Sequence, residues 1–150
     1  MAPSVAVLGA SLGALAGPVI AGSVGEEVGW RGFAQPRLQL TCSALTASLV
    51  IGVVWATWHQ WILLAPGGTV EPMDLLAGYL RLISTAVLYG WLYNATGSLL
   101  IVMVAHAAHN VAVTVIPTPE GSHGLWHLVL ALGYVVVAVV VAVWMVRVAR

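Results

Sequence analysis

The chain has no lysine, one cysteine, one phenylalanine and only ten charged residues among 150. Each scarcity excludes something. Five arginines against five acids leave a formal net charge of zero with no basic run, so nucleic acid is not an expected partner. Cys42 alone cannot form an internal disulfide, and it is read as a small packing residue rather than a reactive thiol. The shortage of charge is matched by 61% hydrophobic residues and a mean hydropathy of +1.00. A soluble domain of this length could not hide so much apolar surface in one core. The solvent is therefore a bilayer, and the expected fold class is all-α, a polytopic transmembrane helical bundle.

Five apolar stretches, at 4–25, 44–64, 75–93, 98–116 and 125–146, are each near the ~20 residues that a membrane helix needs. The first lacks a basic leader region and is long enough to span, so it is read as a transmembrane helix rather than a signal peptide. Pro36, APGGTVEP at 65–72, NATGS at 94–98 and IPTPEGSHG at 116–124 punctuate the stretches. These short loops imply one membrane domain over 1–150. Trp58, Trp61, Trp91, Trp126 and Trp144 lie close to the expected span ends, where amphipathic rings settle at the lipid–water interface. Arg31 and Arg37 follow the first span, and Arg147 and Arg150 follow the fifth. With five spans both pairs share a side, which places the C-terminus in the cytoplasm. Gly9, Gly13, Gly17, Ala21, Gly25 and Gly29 recur every four residues along the first span, a ridge expected to pack closely against another helix.

Ionisable groups at membrane depth are costly and so mark functional candidates. Residues 23–33, SVGEEVGWRGF, hold three of the ten charges. Glu27 and Arg31 stand four apart with the acid first, the favoured order for a helical ion pair. Glu26 points about a quarter-turn away, which leaves it free to act as a general base for water. The same three residues could instead form an interfacial cluster solvated by headgroups. In VVWATWHQW, Trp55 lies one turn before His59 on the same face, and His59 suits either an interfacial position or a catalytic one. In IVMVAHAAHNV, His106, His109 and Asn110 share one face of the fourth span, more polar groups than packing requires. An acid, a histidine and a His/Asn pair on three helices are the parts of a hydrolase. Glu26 would take a proton from water with His59 holding that water, and His106 and Asn110 would donate to the oxyanion of an attacked amide.

EEVGWR, WATWH and HAAHN together resemble the three motifs of the CPBP family, the intramembrane CAAX-processing and bacteriocin-processing proteases. Glu26, Glu27 and Arg31 match its Glu-Glu-x-x-x-Arg motif in full. His59 matches Phe-x-x-x-His, with Trp55 in place of the usual phenylalanine. His106 and Asn110 match His-x-x-x-Asn, which leaves His109 outside the motif. Order and spacing agree from about residue 20 to 115.

The resemblance implies an integral protein of a bacterial-type cell membrane that hydrolyses a peptide bond in a membrane-associated substrate. That substrate would be a prenylated CAAX protein, which loses its last three residues, or a bacteriocin-like peptide. Glu26, His59 and His106 would make a zinc triad with an open fourth position, or would position water without metal. The metal-free version is preferred because Asn110 suits an oxyanion donor better than a zinc ligand. Family members usually have further helices before the first motif, so a short member or a fragment is expected here.

One geometric condition follows. His59 lies ~22 Å along a helix that starts at Ala44, whereas Glu26 ends the first apolar stretch. They can meet only if the first helix continues through about Phe33, with 34–42 running along the interface. Rival readings are a b-type haem or quinone electron carrier, with His59 and His106 or His109 as iron ligands, and a non-catalytic immunity or scaffold protein. His123 and His127, four apart, could form a separate metal pair or face water.

Overall fold

The computed structural model describes residues 17, 19–60, 71–115 and 123–148 and folds as an all-α bundle. Helix α1 covers 19–38 as one rod: α-helical to residue 29, a π-helical turn over Trp30–Ala34, and α-helical again over Gln35–Leu38. Helices α2 (Ala44–Gln60), α3 (Pro72–Thr96), α4 (Leu99–Val115) and α5 (His123–Val148) follow. These correspond in order to the five apolar stretches. Residues 4–16 and 18 of the first stretch and 61–64 of the second, with Gly9, Gly13 and Trp61, lie outside the described residues.

Local chemistry explains the borders. Pro36 lacks an N–H, and its ring would collide with the carbonyl four residues earlier in a regular helix. The π turn, in which the Gln35 N–H reaches back to the Trp30 carbonyl, widens the backbone just ahead of it and lets the rod continue. Helix α1 therefore runs past Phe33 to Leu38, as the geometric condition required. It also goes further than expected. Gln35 does not lie along an interface but is buried, donating to the Gly90 carbonyl at 3.0 Å and to Asn94 at 3.3 Å. Helix α3 starts with Pro72 in its first turn and ends on Gly97, whose φ of 63° is left-handed and whose N–H closes on the Tyr93 carbonyl. Two residues then suffice to reverse the chain into α4.

Contacts at constant sequence offset fix the directions. Arg31 and Gln35 of α1 reach Ala86 and Gly90 of α3 with the same separation of 55 residues, so these helices run parallel. Asp74–His127 and Trp91–Trp144 likewise make α3 and α5 parallel. Helix α2 runs against α3, since Gly52 meets Ile83 while Gly90 meets Ser48. Helix α4 runs against α1, with Glu27 on His106 and Ser23 on Asn110. The N-terminal ends of α1, α3 and α5 thus share one end of the bundle with the C-terminal ends of α2 and α4.

Trp55, Ala56, Leu82, Ala86, Tyr89 and Val102 form the core between α2, α3 and α4. Helix α5 exposes the apolar side chains of Val136, Val137, Val139, Val140 and Trp144. Among the described residues, Pro72–Thr96 and Gly124–Arg147 are long and apolar enough to cross a membrane, and Leu99–Val115 is a shorter apolar helix. Among the described residues, the ridge glycines of the first span do not make the expected close contacts; Gly9 and Gly13 lie outside those residues. A Cβ at Gly17, Gly25 or Gly29 would meet nothing within 4 Å. Close approach occurs instead at Gly52, where a Cβ would lie 2.9 Å from the Ile83 Cα and 3.0 Å from the Ala86 Cβ. Gly52→Ala should accordingly destabilise the bundle by about 1–3 kcal/mol, the usual cost of overpacking against backbone. Thermal unfolding in detergent will show this, with Gly25→Ala unchanged; equal midpoints for the two variants would contradict the α2–α3 contact.

Candidate active site

Adjacent residues on a helix point about 100° apart, and α1 uses that angle to separate two carboxylates. Glu27 turns into the bundle and is fully buried, as is Arg31. Its Oε1 accepts from Arg31 Nη1 at 3.0 Å and from His106 Nδ1 at 2.8 Å. Arg31 also approaches the Ala86 carbonyl at 3.5 Å and lies over the rings of Trp55 and Tyr89 at 5.1 and 5.2 Å. Glu26 points instead into a cavity of about 390 Å³ lined also by Trp55, His59, Arg81, His106, His109 and Asn110. All four sequence-predicted catalytic residues therefore border one space, and of the first cluster Glu27 and Arg31 are buried while Glu26 is half-buried.

Trp55 organises one wall of this cavity. Its Nε1–H donates to Glu26 Oε2 at 2.6 Å. Its backbone carbonyl faces His59 Nδ1 at 3.0 Å, and because a carbonyl can only accept, Nδ1 carries the proton. The Nε2 of neutral His59 is then a lone-pair acceptor available to the cavity. Glu26 is not left without a partner, as the sequence suggested, but keeps one carboxylate oxygen outside the Trp55 bond. A phenylalanine at position 55 could not make it.

The opposite wall is built from α4. His106 is 3% exposed and gives Nδ1–H to the Glu27 carboxylate, so Nε2 is its cavity-facing atom. Neutral His106 would present a lone pair there, and only the imidazolium would donate. Asn110 Nδ2 donates to Ser23 Oγ at 3.4 Å, and Ser23 in turn donates to the Val19 carbonyl at 2.7 Å. One N–H of the Asn110 amide bonds Ser23, and the residue also lines the cavity. His109 bonds the Tyr134 hydroxyl at 3.2 Å and borders the cavity from outside the motif.

Among the described residues, no three His, Cys, Asp or Glu side chains converge as a metal-ion set. Glu26, His59 and His106 share the cavity without forming the close triad that zinc requires. His127 pairs with Asp74 at 3.0 Å on the exposed α3–α5 contact; the His123 side chain of the suggested metal pair lies outside the described residues. Sequence reasoning missed Arg81, Ser23, Gln35 and Tyr89. Arg81 could have been found, as the one charge inside the third apolar stretch. The others carry no signal apart from the fold.

The fold and the cavity together define a membrane-embedded site with paired acid and imidazole chemistry. The chain belongs to the Rce1-like family of type II CAAX prenyl endopeptidases, whose sequence model matches residues 8–112. This agrees with the resemblance carried by the three motifs, and the family is one of integral membrane proteins. A CAAX prenyl protease 2 from Methanococcus maripaludis is 47% identical over 34 residues, a stretch that covers 23% of this chain and 12% of that protein. No solved structure matches.

The two carboxylates should differ sharply on substitution. Glu27→Ala strands a buried guanidinium and should cost about 3–5 kcal/mol of stability. Glu26→Gln can keep an oxygen acceptor for Trp55 and should cost no more than about 1 kcal/mol. Detergent or denaturant unfolding of both variants measures the contrast, and a milder effect at Glu27 than at Glu26 would reverse the assignment.

Proposed function

We propose that this chain is an intramembrane endopeptidase that hydrolyses a peptide bond in a membrane-associated substrate, of the prenylated CAAX type. The observation that carries the reading is the double grip of Trp55. It fixes Glu26 by its side chain and His59 by its backbone on one wall, facing His106 and Asn110 on the other.

Water held between Glu26 and His59 Nε2 gives a proton to Glu26 as its oxygen attacks the scissile carbonyl carbon. The carbonyl π electrons move onto oxygen, and that oxyanion receives N–H bonds from Asn110 and from protonated His106. Collapse of the tetrahedral intermediate reforms the carbonyl and breaks the C–N bond. The leaving amine takes the proton from Glu26, which restores the carboxylate. No atom remains on the enzyme. The reaction is read as metal-free because the Asn110 amide supplies an electrophilic donor without a Lewis acid. The family match favours a hydrolase over a haem or quinone carrier.

Reconstituted in liposomes with a farnesylated CAAX peptide, the wild type should release the C-terminal tripeptide. Glu26→Gln should lower kcat by about 10²–10⁴-fold, the usual weight of a general base. Asn110→Ala should lower it by about 10²–10³-fold, as loss of one oxyanion donor does. Chelators should leave the rate unchanged. Wild-type turnover by the Glu26 variant would exclude its role as base, and chelator inhibition reversed by zinc would overturn the metal-free route.

A further inference from the structure

Arg81, near the middle of α3, has no task in the reaction just described. Its side chain lines the catalytic cavity, which Glu26 also borders, and a second cavity of about 170 Å³ among α3, α4 and α5, whose walls include Asp74, Ala77, Trp126, His127, Leu130 and Tyr134. Among the described residues no carboxylate lies within ion-pair distance of it, although Glu26 and Asp74 each border one of its two cavities. Glu27 serves Arg31 and His106, Asp74 serves His127, and Glu26 is held by Trp55. Tyr134 shares the second cavity with it and His109 the first, and these two side chains bond each other.

A guanidinium does not shed its proton at any working pH. Set in a cavity at membrane depth, such a cation calls for an anion supplied from elsewhere. Its planar fork fits a carboxylate with two parallel N–H bonds. A substrate cleaved three residues from its end carries one such group, ~10 Å beyond the scissile carbonyl when extended. The second cavity adjoins Arg81 and offers aliphatic and aromatic walls for side chains of the leaving segment.

We propose that Arg81 binds the free C-terminal carboxylate of the substrate, with the apolar residues before it lying against Ala77, Trp126 and Leu130. This rests on the peptidase reading and deepens it. The site would take the end of a chain rather than an internal loop, because an internal segment has no anion to offer at that distance.

The test is binding of a short peptide to the whole chain in phosphatidylcholine nanodiscs, read by tryptophan fluorescence. The probes are Val-Val-Met with a free carboxylate and the same tripeptide as its C-terminal amide. Wild type should bind the acid about tenfold tighter than the amide, or more. Arg81→Gln should lose that preference while binding the amide as before, and Arg81→Lys should keep part of it. Equal affinities in wild type, no measurable binding of the acid, or a preference that survives in Arg81→Gln would each overturn the proposal. Should Arg81→Gln fail to fold, the wild-type ratio and the lysine variant decide. Because the readout is binding, failure of wild type to cleave a farnesylated peptide would count against the protease reading alone.

Discussion

The structure turns on one carboxylate. In lipid, apolar side chains gain little by leaving one hydrocarbon surface for another, so helices need close packing or polar contacts to stay together. Glu27 supplies such a contact by accepting from Arg31 on its own helix and from His106 on α4. Arg31 extends the cluster to the Ala86 carbonyl on α3 and to the Trp55 ring on α2. Four helices therefore meet at one buried ion cluster. Each charge in it is tolerable only because the others are present.

The remainder of the site follows from that anchor. With Glu27 fixed inward, the next residue back must face another direction, and it faces the cavity. With His106 Nδ1 committed to Glu27, the other ring nitrogen is presented to that same cavity in a fixed orientation. Trp55 packs edge-on against both His59 and His106, at 5.4 and 5.5 Å between ring centroids. Its indole and carbonyl hold two groups that could otherwise rotate away. Two neighbouring glutamates thus part ways, one tying helices together and one bordering the cavity. The physical difference is only the angle between successive helical residues.

Much of this was legible in the sequence because charge is so rare in it. The Glu27–Arg31 pair followed from spacing, and the three polar motifs followed from their cost in lipid. The span order was set by loops whose residues cannot continue a helix. What could not be read depended on distance between helices. Nothing in the local pattern signals that Glu27 also reaches His106, or that the Trp55 indole meets Glu26, because neither contact is local. The glycine ridge of the first helix misled for the same reason. Four-residue spacing announces a smooth face without saying what touches it, and the tight approach came at Gly52 and Gly90 on α2 and α3 instead. The border of α1 was displaced because polar residues normally signal a span end, whereas Arg31 and Gln35 here find partners inside the bundle. Arg81 was overlooked although its position alone marks it.

A double-mutant cycle on Glu27→Gln and His106→Ala, measured by reversible unfolding in detergent, tests the anchor most directly. The account predicts a coupling of about 1–3 kcal/mol between the two substitutions, as expected for partners in one buried network. Effects that add to within about 0.5 kcal/mol would mean that the two side chains act independently, and would contradict it.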